Sequence, residues 1–174
     1  MALQRMHVSV VVDPSVQSGE GCVVWAFSTI GPHVLLGHHV VIGSCCYVGH
    51  SSIVGDEVHL NHGVFLPNHS ILGDRVFIGP NATFTDDKHP RVNNPDYHAE
   101  PPIIEDDANI GAGAVILPGV RLGKGCTVGA GAVVTRHVPA GETWTGIPAR
   151  RLRRFPTLPP EGGWLNRMRL QAHP

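Results

Sequence analysis

The sequence predicts an all-β solenoid, a coil of very short strands stacked around one continuous aliphatic core. Three observations predict it. Aliphatic residues recur at every sixth position from Val12 to Ile78, interrupted at Ser18, and the register returns from Ile104 to Val134. Four residues after each anchor stands a small or β-branched residue, as at Val34, Val40, Cys46 and Ser52. Gly follows the anchor directly at positions 31, 37, 43, 49, 55, 73 and 79. A short strand needs an inward apolar residue, and a sharp corner needs a small inward residue and Gly at the bend. Three such strands close a triangular coil of 18 residues, and stacked coils bury a shared interior.

The composition agrees. The 174 residues include 21 Gly and 15 Pro, a content that would break a helical bundle. An apolar fraction of 42% excludes disorder, which requires few apolar residues and high net charge. Aromatics make up only 6%, so the interior is built from Val, Ile, Leu and Ala. A formal net charge of −1 gives no drive toward nucleic acid or a membrane surface. The apolar run at residues 8–12 is too short for a leader or a membrane span. Cys22, Cys45, Cys46 and Cys126 form no CxxC pair and read as free, mostly buried thiols of a cytoplasmic protein.

Taken in order, the coil runs from Val12 and breaks once, between Phe84 and Ile103. The insertion, 84–103, is polar and Pro-rich, and a loop of that length inside a compact repeat points to function. Coiling resumes to Val138, followed by a closing segment with the cluster Arg150, Arg151, Arg153 and Arg154. The expected organisation is one β-helical domain over 1–155 and a tail over 156–174, in which 164–171 has the pattern of a short terminal helix. Such a helix would cap the open end of the solenoid.

Runs such as Ile78-Gly-Pro-Asn-Ala-Thr and Ile110-Gly-Ala-Gly-Ala-Val resemble the hexapeptide-repeat family. The resemblance implies a left-handed parallel β-helix, an exception to the right-handed crossover rule. It also implies an acyl-CoA-dependent acyltransferase working as a homotrimer, with active sites between subunits. Gly111-Ala-Gly-Ala-Val and Gly129-Ala-Gly-Ala-Val resemble the coils that contact the pantetheine arm, which assigns Ala112, Gly113, Ala130 and Gly131 to acetyl-CoA. Gly146-Ile-Pro-Ala-Arg150 resembles the closing motif, and Arg150 and Arg151 suit the phosphates of CoA. No metal is required by this reading.

Seven of the twelve histidines lie between His33 and His69. His62 is the third residue of Leu60-Asn-His-Gly-Val-Phe and points outward near a corner, with Ser44 and Pro80 on the neighbouring coils. In sugar acetyltransferases of this family a His at that position is a general base, so His62 is the first catalytic candidate; His69 and His89 follow. His50, Asn68 and Asp86 fall on one 18-residue ladder that orients substrate or satisfies hydrogen bonds along the coil. The loop start, Thr83-Phe-Thr-Asp-Asp-Lys-His-Pro-Arg91, resembles acetyltransferases acting on nucleotide-linked 3-amino sugars, with Asp86 in place of the commoner Asn. That resemblance assigns Asn61, Asn81, Thr83, Thr85, Asp86, His89 and Arg91 to a nucleotide-sugar substrate. Some members of that group have Asn where His62 stands and act without a protein base, so His62 positions the substrate or deprotonates it. Three alternatives stay open: a sugar O-acetyltransferase, a zinc protein like the γ-type carbonic anhydrases, and a non-catalytic trimeric scaffold.

Overall fold

A computed structural model describes residues 3–152 of the chain. The tail 156–174, with its expected helix, lies outside the described residues, as do Arg153 and Arg154. All regular structure among the described residues is β. Strands mostly two residues long form three sheets, of nine, seven and six strands, which are the three faces of a prism. Strands pair in parallel with the strand one coil away, as Val41 opposite His59 and His59 opposite Phe77, except in the closing antiparallel hairpin of Thr143–Thr145 and Arg150–Arg151. This is the parallel β-solenoid expected from the hexapeptide ruler, consistent with the left-handed β-helix that the resemblance implies.

The ruler decides what is inside. Every anchor from Val24 to Ile78 and from Ile104 to Val134 is buried, and so is its small partner four residues on. Phe84 continues the series and is 0% exposed. Across the insertion the pairing partners are Ile71 with Ile103 and Phe77 with Asn109, a spacing of 32 residues in place of 18. The coil thus resumes in phase, and inward positions stay inward.

The corners divide their two demands differently from the sequence expectation. Positive φ falls on the third residue after the anchor, and His33, Cys45, Ser51, His69 and Asn81 all adopt it, at φ 55–60°. Gly directly after the anchor answers another need. A Cβ at Gly43 would meet the backbone of Asn61 and His62 at 2.7 Å. Close stacking of successive corners, not left-handed backbone, selects Gly at that position. Inward serines are satisfied by corner carbonyls: Ser28 Oγ donates to Gly43 at 2.7 Å, and Ser70 Oγ to Pro67 at 2.7 Å.

Ser18, the one break in the early ruler, occupies an inward anchor position opposite Leu36, and its buried hydroxyl has no hydrogen-bond partner. Ser18→Val removes the unpaired hydroxyl and adds methyl contacts. The expected gain is about 1–2 kcal/mol, read as a thermal midpoint higher by about 2–8 °C. An unchanged midpoint would show that water reaches this hydroxyl.

One edge of the prism carries ion pairs. Arg75 grips Asp107 through two nitrogens, at 2.6 and 3.2 Å. Arg121 pairs with Glu105, and Lys124 Nζ lies 3.3 Å from Asp106. Hydrogen bonds from Arg121 hold the Glu105 carboxyl below its usual value, those from Arg75 do the same for Asp107, and the Asp74 backbone N–H leads for Asp106. A carboxylate with a lowered folded pKa contributes stability above its unfolded value, and loses it as pH falls through the folded one. The thermal midpoint is therefore expected to drop on acidification from pH ~5 to below ~4, less steeply in high salt because the pairs are exposed. A midpoint that rose over that range would contradict the assignment.

Candidate functional site

The three edges of the prism have different chemistry, and the predicted residues sort onto two of them. The first edge joins the nine-stranded and seven-stranded faces. Going up it, successive corners are Gly43–Ser44–Cys45, Asn61–His62–Gly63, Gly79–Pro80–Asn81, Gly111–Ala112–Gly113 and Gly129–Ala130–Gly131. At about 4.8 Å per coil, His62 stands roughly 10 Å from Ala112 and roughly 14 Å from Ala130. The hairpin of Thr143–Thr145 and Arg150–Arg151 stacks on the last of these corners, with Arg150 opposite Thr145. The proposed cofactor residues and His62 therefore share one edge, although 50 and more residues separate them along the chain.

His62 is exposed, and its ring is held on one side. Nδ1 accepts the backbone N–H of Ser44 at 2.9 Å, and the His62 carbonyl accepts the N–H of Asn81 at 2.8 Å. The neutral ring with Nδ1 as acceptor carries its proton on Nε2. Asn61 ties two coils together, its Nδ2 donating to the Ile78 carbonyl at 2.9 Å. Higher on the edge, a Cβ placed on Gly113 or Gly131 would meet nothing within 4 Å. These two corners leave open space against exposed main chain, which fits an extended thioester arm lying along them. Arg150 and Arg151 are exposed, and Arg151 Nε lies 3.2 Å from Glu142.

The other predicted residues lie across the seven-stranded face. On that face Tyr47 and Phe65 are partly exposed and stacked, with centroids 5.1 Å apart and planes 12° apart. Thr83 follows them outward in the next coil. Beyond lies the second edge, where the insertion departs. Thr85 Oγ1 donates to Ile116 at 3.1 Å. Asp86 accepts the phenol of Tyr97 at 3.0 Å, while its carbonyl takes the N–H of Glu100 at 2.8 Å. Burial, then the Asp86 bond, pushes the Tyr97 phenol above its ordinary value. Lys88 pairs with Glu100, and Arg91 is engaged within the loop by Asn94 and Asp96. His89 is exposed in the loop, its N–H donating to Asp87 at 2.8 Å.

Within one chain, then, Thr85, Asp86, His89 and Arg91 do not meet His62. They stand on the opposite edge of the same face. On the ladder, His50 N–H donates to Asn68 Oδ1 at 3.1 Å, so its lower half satisfies backbone, whereas Asp86 turns to Tyr97. Sequence reasoning missed Tyr97 and the stacked Tyr47–Phe65 pair. The 18-residue spacing of the two rings was available as a signal; the loop's inward fold onto Asp86 had none. Cys22, Cys46 and Cys126 are buried and Cys45 is exposed, all as free thiols, and burial pushes Cys126 up to about 11. Among the described residues no group of three or more His, Cys, Asp or Glu is arranged to hold a metal ion. Among them, too, no helix is long and apolar enough to cross a membrane.

Two repeat families match the chain: the bacterial transferase hexapeptide over residues 19–50 and the hexapeptide repeat of succinyl-transferase over 101–136. The chain is 59% identical over 56 residues to a 2,3,4,5-tetrahydropyridine-2,6-dicarboxylate N-acetyltransferase of Staphylococcus aureus, a match covering 32% of this chain and 23% of that protein. A variant of GDP-perosamine N-acetyltransferase from Caulobacter crescentus, solved with CoA and GDP-perosamine, superposes with a TM-score of 0.60 at 27% identity, covering 88% of this chain and 58% of that one. The acetyltransferase domain of PglB from Neisseria gonorrhoeae, in complex with acetyl coenzyme A, gives 0.57 at 25% identity, over 87% of this chain and 58% of that one. WeeI from Acinetobacter baumannii gives 0.56 at 29%, over 84% and 57%. The chain thus spans under a quarter of the curated relatives it matches and somewhat over half of these solved structures. The two repeat models match separate stretches of one coil, before and after the insertion, and each of these solved structures shares that coil.

Proposed function

We propose that the chain is an acetyl-CoA-dependent N-acetyltransferase acting on the amino group of a nucleotide-linked amino sugar, of the 3-amino-deoxyhexose type, in glycan or glycosylated-metabolite biosynthesis. One observation carries the reading. An exposed imidazole stands on the same edge as two open Gly-Ala-Gly corners, with a basic hairpin at the top. Pantetheine along Ala112, Gly113, Ala130 and Gly131 would direct the thioester toward His62 and leave the phosphates to Arg150 and Arg151. Asn61, Asn81 and Thr83 border the acceptor space. The loop supplies Thr85, Asp86, His89 and Arg91 from the other edge, so the two halves of the site join when one subunit's loop covers the next subunit's first edge. A homotrimer provides that arrangement. The GDP-perosamine N-acetyltransferase with which the fold superposes supports the choice of an amine on a sugar, and the Staphylococcus aureus relative supports N-acetylation.

CoA release assayed with UDP-, dTDP- and GDP-linked 3-amino and 4-amino sugars tests the reading. Turnover of one or more is expected. Binding of CoA with no turnover of any sugar nucleotide would overturn the substrate class, and failure to bind CoA would overturn the enzyme.

A further inference from the structure

His62 belongs to a series. At the second residue after the anchor, a side-chain acceptor repeatedly takes the backbone N–H of the equivalent residue one coil earlier. Asp56 takes His38, Asn68 takes His50, Asp74 takes Asp56 and Asp106 takes Asp74, through Oδ1 at 2.7–3.2 Å. His38 takes Glu20 through Nδ1 at 3.1 Å, and His62 takes Ser44 in the same way at 2.9 Å. A carboxylate can only accept in this position, so the corner demands a lone pair and not a proton. The demand orders the imidazole: Nδ1 is committed as an acceptor, and in the neutral ring Nε2 carries the hydrogen. A base working at Nε2 needs the opposite tautomer, and an imidazolium would set an N–H against the Ser44 N–H. The ionisable groups around the ring are few. Cys45 lies on the coil below and His59 precedes it on its own coil, while the corner above is Pro80 and Asn81.

We propose that His62 serves acetyl transfer as an Nε2–H hydrogen-bond donor to the thioester carbonyl oxygen, and not as the base that deprotonates the acceptor. The inference rests on the acetyltransferase reading above. The acceptor amine attacks as the free base. Its lone pair forms the C–N bond, and the carbonyl π pair moves onto the oxygen, where Nε2–H stabilises it. Collapse re-forms C=O and breaks the C–S bond, so CoA leaves as thiolate. The nitrogen releases one proton to solvent, and the protein returns unchanged.

Two measurements test the role. Nitrogen-15 NMR of the histidine side chains at pH ~8, where imidazoles are neutral, reads the tautomer directly. The signal is assigned by its loss in His62→Asn, which keeps an acceptor at the corner as Asn68 does. A protonated Nε2 is expected, and a protonated Nδ1 overturns the proposal whatever the substrate. In kinetics, His62→Gln supplies an N–H near Nε2 but no base. It is expected to stay within about tenfold of the parent and to leave the ascending limb of the pH–rate profile in place, while His62→Asn loses roughly 10²-fold. A loss of about 10²–10⁴-fold in His62→Gln, with that limb abolished, assigns the base role instead. Absence of transfer in the parent protein would defeat the acetyltransferase reading and leave the tautomer result standing.

Discussion

Replacing Gly111 with Ala is expected to destabilise the fold by about 3 kcal/mol, a fall of roughly 6–12 °C in the thermal midpoint. The backbone at Gly111 does not need left-handed φ. Its constraint is the coil above: an added Cβ would lie 2.7 Å from both the Ala130 Cα and the Gly129 carbonyl carbon. Main chain cannot swing aside as a flexible side chain does, so the two coils must part. They are also the coils assigned to the pantetheine arm, and CoA affinity is expected to fall with stability. Gly113→Ala is the control. That corner has φ 65° with open space around it, so only the left-handed strain of about 1–2 kcal/mol applies. Thermal denaturation of both variants, with a calorimetric CoA titration of Gly111→Ala alone, checks these expectations. Equal losses would mean that crowding between corners is not what selects Gly after the anchor.

Phe84→Ala is expected to cost about 3–5 kcal/mol, the range for a truncated buried aromatic. Among the described residues Phe84 is the one aromatic with a fully buried side chain, and it is the last anchor before the insertion. Thr85 next to it bonds Ile116 through its N–H at 3.0 Å and its Oγ1 at 3.1 Å, so a cavity there also loosens the root of the loop. Phe84→Leu restores the aliphatic rule and is expected to cost under about 1.5 kcal/mol. Denaturant unfolding of the two variants separates them. A Leu variant as weak as the Ala variant would show that ring shape, and not filled volume, holds this corner. Because neighbouring coils share one interior, the defect is expected to spread to both flanking coils.

The fold was legible because a period of six leaves a one-dimensional record. Ile30 or Leu122 is inward by its place in the count alone, and burial of both follows without knowledge of any partner. The same count places His62 beside Ser44, but only the 32-residue step across the insertion puts Ala112 and Ala130 on its edge. The loop obeys no such period. Asp86 reads as one more rung of the His50–Asn68 ladder, but its carboxylate meets Tyr97, eleven residues away along the insertion. Arg91 reads as a free cation for a substrate, yet Asn94 and Asp96 hold it within the loop. Contacts of that kind depend on how an irregular segment folds back, and residue spacing carries no trace of it.

By itself the sequence determined the solenoid, its inward residues, the place of its one interruption and the family of its repeats, because each coil repeats the same local rule. Only the tertiary structure decided two further matters. It separated the predicted site residues onto two edges of one face, since a chain that turns every six residues sends close neighbours in sequence to different corners. It also committed Nδ1 of His62 to a backbone N–H from the coil below, since that hydrogen bond exists only once the coils are stacked.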